Sequence, residues 1–226
     1  FIYNFLLREK YSKYIEDIQR GNANQANITI SDLWKYQLNC PFFEEQTQIG
    51  NYFQQLDKLI THHQQKHDKL SNVKKALLEK MFPKKGMDVP EIRFEGFSGE
   101  WNNSELGRAC NFTKGTGYSK KDLVETGHPI ILYGRLYTNY QTGISEVDTY
   151  VLSTKNAVLS QGNEVIVPSS GETAEDIARA SAVLKSGIVL GGDLNIIHPN
   201  SQISSFFLAL VITHGKSHED LSKRAQ

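Results

Sequence analysis

The sequence predicts an α+β chain: one long amphipathic α-helix followed by a compact, mostly β domain with short helices. Three observations predict it. Apolar residues recur about every 3.5 positions between Pro41 and Pro83, which is coiled-coil spacing. A breaker-rich segment from Pro83 to Pro90 ends that pattern. From Glu91 onward, short runs of β-branched residues are separated by Gly, Asn and Ser turns. A helix of such length does not fit inside a small globular core, so it reads as a spacer or dimerisation arm.

The bulk composition sets the frame. At 226 residues the chain holds one ordinary domain plus an appendage, or two small domains. Its 39% hydrophobic and 22% charged residues are a soluble globular composition. A net charge of zero argues against a uniformly basic nucleic-acid coat, although a neutral total can hold a basic face opposite an acidic one. Two cysteines, Cys40 and Cys110, make no disulfide framework and read as free thiols in a reducing compartment, so a cytoplasmic protein is expected. There is no signal peptide and no apolar run near the ~18 residues a membrane span needs. The first residue is Phe and the last residues look mid-element, so the chain is expected to be a piece of something longer.

Taken in order, residues Phe1 to Arg20 place Phe1, Phe5, Leu6, Ile15 and Ile18 among charges and read as a helix stopped by Gly21-Asn22. Asn22 to Asn27 is a polar loop. Residues 28–33 mix β-branched residues with a candidate helix cap at Ser31. Trp34 to Cys40 reads as extended and leads into Pro41.

The long helix is expected from Glu44 to Met81. Glu44 and Glu45 in its first turn and Lys74, Lys75 and Lys80 near its end suit the helix dipole. At ~1.5 Å per residue it is on the order of 55 Å long. Its stripe alternates steps of four and three through Ile49, Phe53, Leu56, Ile60, His63, His67, Leu70, Lys74, Leu77 and Met81. His63, His67 and Lys74 interrupt the seam, and polar breaks of this kind can fix register and pairing. His63 and His67 are also i and i+4 on one face, a spacing that can hold zinc. No cysteine or carboxylate completes such a shell in the sequence, so no metal site is assigned.

The β domain is expected from Glu91. Its strand-like runs start at His128, Asp148, Glu164 and Gly187. Ala174 to Ala182 reads as a short helical turn, and Ser204 to Val211 as the start of an apolar helix. Trp34 and Trp101 flank the helix segment and read as core aromatics anchoring the domain to the helix base. A short echo aligns Phe207 with Phe1 at an offset of about 206 positions, which suggests a longer two-fold repeat.

Several residues occur in one order across this region: Pro41, Glu45-Gln46, Ile49-Gly50, Phe53, Leu56-Asp57, Ile60, Lys69-Leu70, Lys74-Lys75, Met81-Phe82-Pro83, Pro90, Arg93-Phe94, Gly96-Phe97, Trp101 and Leu106-Gly107. In this the chain resembles the specificity subunit of Type I restriction–modification systems. The resemblance covers about a quarter of the chain. It implies that residues 1–40 end one target-recognition domain, 41–83 form a conserved helix, 84–90 a linker and 91–226 a second recognition domain. It further implies that the long helix forms an antiparallel coiled coil with a partner helix, either a second conserved helix or another copy of the chain. The family's distal helix is not found in this sequence, so the seam needs a partner from outside it.

The chemistry of such a subunit is recognition without catalysis or cofactor. The sequence has no Asn-Pro-Pro-aromatic motif, no P-loop and no helical His-Glu-x-x-His, and Gly191-Gly192-Asp193 is too short for a cofactor loop. In this family cleavage belongs to the restriction subunit and methyl transfer to the methyltransferase (modification) subunits, which are the implied partners beside double-stranded DNA. Basic side chains would meet phosphates and polar ones base edges. The best-supplied segment runs from Thr113 to Lys121, with Lys114, Tyr118, Lys120 and Lys121. A second offers Arg135, Tyr137, Asn139, Tyr140 and Gln141, and a third lies around Ser170. A solvated loop, a tyrosine-rich hairpin and a plain turn are the competing readings. Lys84-Lys85 could touch phosphate or be solvated linker. A coiled-coil scaffold whose β domain binds protein is the alternative function.

Overall fold

The computed structural model describes residues 29–171, 173 and 177–214, with Lys13 and Lys223 besides. The helix and loop expected over residues 1–27 lie outside the described residues, as does the Phe1 side of the sequence echo. The chain divides into two compact units, Phe1–Val73 and Lys74–Gln226.

In the first unit a short helix, α1 (Ile30–Trp34), starts from Thr29. The Thr29 side chain accepts from the Asp32 N–H, and the Asp32 carboxylate accepts in turn from the Thr29 N–H at 3.1 Å. The cap is therefore Thr29, two residues before the expected Ser31, because only Thr29 has an acidic partner three positions on. Trp34 ends this helix with its side chain 82% exposed, unlike the core aromatic the sequence suggested. A helix of five residues with no buried side chain offers it nothing to pack against.

The long helix, α2, runs Phe43–Met81, and the boundary between the units falls within it. Gln46 secures its start by donating to the Pro41 carbonyl at 2.8 Å. None of its residues is buried. Along its seam Phe53, Ile60, Leu70 and Leu77 lie exposed, where an isolated helix gains nothing from its apolar stripe.

The second unit holds the β domain. Beyond Met81 the chain folds back: the Ile92 N–H donates to the Lys80 carbonyl at 3.0 Å, Lys84 pairs with Glu91, and the Trp101 N–H donates to Asp88 at 2.8 Å. Trp101 meets Phe82 at 6.0 Å and Phe207 at 5.7 Å between ring centroids, and Phe82 stacks on Phe207 at 5.9 Å. Trp101 thus anchors the domain to the end of α2, as its position in the sequence suggested.

A short helix α3 (Leu106–Ala109) leads into β1 (Cys110–Lys114). There follow β2 (Leu123–Val124), β3 (His128–Ile131), a short helix α4 (Arg135–Thr138), β4 (Gly143–Ile144), β5 (Tyr150–Val151) and β6 (Val158–Gln161). The last elements are β7 (Val165–Pro168), β8 (Ser181–Val183), β9 (Ser186–Leu190), β10 (Leu194–Pro199) and α5 (Ser205–His214). One sheet has the order β1-β10-β7-β8-β4, the other β2-β5-β3-β9-β6.

Alternation along the strands explains the layering. Ile166, Val183 and Ile196 point into one core with Ile131, Ile188 and Leu190 of the second sheet. Their neighbours Val165, Ala182 and Ile197 point to the opposite face, where Leu208, Ala209 and Ile212 of α5 cover them. Buried on both faces, these strands read as continuous apolar runs. Cys110 belongs to the helix-side core, where burial pushes its thiol up from the ordinary value. The expected helical turn to Ala182 ends earlier, because Ser181–Val183 is a wholly buried strand between β7 and β4. Sheet position overrides local propensity there.

One buried carboxylate closes the β6–β7 turn. Glu164 is fully buried, and its side chain accepts N–H bonds from Gln161, Gly162 and Asn163.

Candidate nucleic-acid interface

The lysine-rich segment leaves β1 at Lys114, which pairs with Asn195 of β10. It then crosses the backbone of the β9–β10 turn. The Gly115 N–H donates to Leu194 at 2.9 Å, Thr116 to Leu190 at 3.2 Å, and Gly192 back to Gly117 at 3.0 Å. Such an approach requires glycine: a Cβ on Gly192 would lie 2.6 Å from the Gly117 carbonyl oxygen.

Tyr118 comes next with φ of 38°, a left-handed conformation that costs a bulky residue energy. Its ring packs on the Ile130, Val151 and Val189 cluster, and its hydroxyl donates to the Ser153 carbonyl at 2.7 Å. Thr116 adds a bond to the Asn156 carbonyl at 3.1 Å. The segment is thus held from both sides. Ser119 and Asp122 then close a capping box around a 3-10 turn, Lys120–Asp122. The backbone N–H of Ser119, and after it the Ser119 hydroxyl, hold the Asp122 carboxyl below its ordinary range. Lys120 and Lys121 ride on this turn, both exposed.

The other two predicted segments come to the same end of the sheet. The Ser169 N–H donates to the Asp193 carbonyl at 2.9 Å, next to Gly192. The Tyr137 hydroxyl donates to the Ser170 carbonyl at 2.5 Å, and Tyr133 stands edge-on to Tyr137 at 6.0 Å. Backbone hydrogen bonds therefore link the Lys114–Lys121 segment, the β9–β10 turn and Ser169-Ser170, and the Tyr137 side chain ties α4 to them. Lys114, Ser169 and Ser170 are exposed there, and so is the acidic Asp193.

Not every sequence-predicted residue faces outward. The Arg135 side chain is 11% exposed, and its guanidinium donates to Asp148 at 2.6 Å, Gln141 at 3.3 Å and the Glu146 carbonyl at 3.1 Å. A hydrogen bond from its own backbone, then the Arg135 guanidinium, hold the Asp148 carboxyl below its usual range. The Tyr140 hydroxyl lies 3.2 Å from the Ala180 carbonyl and 3.3 Å from Thr213, toward α5. Tyr118 and Tyr137 spend their hydroxyls on backbone carbonyls. Asn139 is exposed at the end of α4.

Sequence reading missed Lys155. It is exposed in the β5–β6 turn, beside Ser153 and Asn156, which receive bonds from the lysine-rich segment. The Lys155-Asn156 turn signal was available, with Asn156 at φ of 59°, but nothing local tied it to Tyr118. On α2, His63 and His67 are exposed, and the His67 Nδ1 lies 3.3 Å from the Asp68 carboxylate. Among the described residues no helix is long and apolar enough to cross a membrane.

No protein-family model matches the chain, and no curated protein does. Solved structures do. The HsdS subunit of Thermoanaerobacter tengcongensis is 16% identical over 95% of this chain and 52% of its own, with a TM-score of 0.44. A structure describing assembly and conformational transition of the type I R-M system is 14% identical over 94% of this chain and 51% of its own, with a TM-score of 0.49. The Type-I restriction-modification S subunit of M. genitalium is 16% identical over 53% of this chain and 27% of its own, with a TM-score of 0.35. The chain spans about half the length of the first two.

Proposed function

We propose that this chain is the DNA-reading part of a Type I restriction–modification specificity subunit, with no catalysis of its own. The ordered motifs from Pro41 to Gly107 support the family, and one structural observation supports the role. Three separate segments, one with exposed lysines and two with polar side chains, meet at one end of a double-layered domain. Loops positioned by a rigid scaffold are where binding residues concentrate.

In this reading Lys114, Lys120, Lys121 and Lys155 meet phosphates and set a salt-dependent affinity. Ser169, Ser170 and Asn139 are the candidates for base edges. Arg135, Tyr118, Tyr137 and Tyr140 act one step back, fixing the loops that carry the contacts. The long helix pairs through its seam and acts as a spacer between two recognition domains. The target is then two short sites separated by an unread gap, as half-site spacing is set in other dimeric readers. Methyltransferase and restriction subunits supply the chemistry.

The test is selection from a randomised duplex pool by the chain mixed with its methyltransferase subunit, at two salt concentrations. An enriched motif supports recognition, and a bipartite motif supports the spacer helix. Retention without enrichment that vanishes at higher salt means backbone electrostatics alone. Absence of retention at low salt, with the complex formed, overturns the reading in favour of a protein-binding scaffold.

A further inference from the structure

The seam of α2 has a centre. Its positions pair off symmetrically about residue 65: Ile49 with Met81, Phe53 with Leu77, Leu56 with Lys74, Ile60 with Leu70, and His63 with His67. Two copies of the helix laid antiparallel in that register match the two histidines only with each other. Moving one copy by a heptad sets His67 against Leu70 or Leu56, burying imidazoles among apolar side chains. The same register brings Leu59 opposite Val73 on the flank, and both are exposed in the single chain, at 54% and 53%.

At the dyad of such a pair four imidazoles converge, an i and i+4 pair from each helix. Within one chain no group of three or more His, Cys, Asp or Glu is placed to hold a metal, among the described residues. The second copy supplies the missing two ligands. A further detail fits this role. The Asp68 carboxylate lies 3.3 Å from His67 Nδ1 and also accepts from Gln64 at 2.9 Å. A carboxylate on Nδ1 fixes the tautomer that leaves Nε2 as the donor, the usual outer-shell arrangement for a metal-bound histidine.

We propose that His63 and His67 are half of a tetrahedral zinc site that a second copy of this chain completes, so that zinc locks the register of the helix pair. Zinc takes histidine nitrogens in tetrahedral geometry, and four of them fill its shell without a water. The charged groups around the dyad are Lys66 of each copy, which meet across it, and Asp68 of each copy. The lysine contact is relieved by turning long exposed side chains into water. This inference rests on the helix-pairing part of the reading above, and its test separates the two.

The test is sedimentation equilibrium of the whole chain with zinc chloride, with EDTA, and with cobalt(II) chloride read by absorbance. Zinc is expected to lower the dimer dissociation constant by on the order of tenfold or more at one metal per two chains. Cobalt is expected to give the visible bands of a tetrahedral nitrogen site. His63→Gln and His67→Gln should each abolish both responses while circular dichroism shows the helix intact. Asp68→Asn should weaken metal binding by about tenfold. A dimer of equal strength in zinc and EDTA overturns the zinc site but leaves helix pairing standing, as does one metal per chain. A monomer under every condition overturns the zinc site and pairing between copies, and leaves a second conserved helix as the partner of the seam.

Discussion

Gly115 and Gly191 touch so closely that a Cβ on Gly115 would stand 1.9 Å from the Gly191 carbonyl oxygen. This is backbone against backbone, with no flexible side chain to give way. The contact fixes where the lysine-rich segment leaves β1, and so where Lys114, Lys120 and Lys121 are presented.

Replacing Gly115 with Ala must therefore displace one of two packed turns. The expected loss is about 1–3 kcal/mol, the ordinary cost of overpacking. Thermal unfolding of the variant measures it. The same variant should bind DNA more weakly than its stability alone explains, because the loop that carries the lysines has moved.

Lys120→Ala and Lys121→Ala should leave the melting temperature unchanged, since both side chains are exposed. If they meet phosphate, each weakens binding to every sequence alike and lowers the salt slope of the binding constant by about 1. Titrations at several salt concentrations on matched and mismatched duplexes read both effects. An unchanged slope removes that lysine from the interface.

Arg135→Met leaves the carboxylate, amide and carbonyl groups of Asp148, Gln141 and Glu146 without their shared donor. A cost of about 2 kcal/mol is expected, typical of charged hydrogen bonds. Urea unfolding measures it. Were Arg135 instead a free DNA contact, the midpoint would not move and binding alone would fall.

The Asp148 carboxyl is depressed in the folded protein, so its sign is fixed. Its contribution to stability is full above the ordinary carboxyl pKa of about 4 and is lost as pH falls through the lower folded value. Asp148→Asn should therefore narrow the stability difference between neutral and acid pH. Unfolding midpoints of both proteins at pH 7 and pH 3 give the comparison.

Glu164→Ala removes the acceptor for three backbone N–H groups in a fully buried turn. A loss of about 2–4 kcal/mol is expected. Glu164→Gln keeps one acceptor oxygen and should cost less. Equal losses from the two would mean that one retained oxygen contributes nothing without the second.

The legible features were local ones. The helix from Phe43 to Met81 was readable from its seam, its acidic start and the Phe82-Pro83 stop. The runs at His128, Val165 and Ser186 were readable from their β-branched residues, and α5 from Ser204 onward. The cap at Thr29 was missed by two residues because a neighbouring Ser offered the same atom. The strand at Ser181 was misread because its residues are small, and small residues do not declare a period.

The candidate interface divided in the same way. Composition alone singled out the Thr113–Lys121 segment and the turn at Ser170. Composition could not say that Arg135 turns inward to Asp148, that Tyr140 reaches Ala180, or that Lys155 joins the lysines through Tyr118 and Ser153. Those outcomes rest on pairs separated by 13 to 40 positions.

By itself, then, the sequence determined the long helix, its apolar seam, the β character of the chain beyond Pro90 and the segments rich in DNA-compatible side chains. Periodicity and turn chemistry act between near neighbours and are written in order along the chain. Only the tertiary structure decided which polar side chains were free to face a partner. That choice depends on which donors and acceptors distant strands bring within about 3 Å of each other, and a buried polar group is claimed by the nearest one.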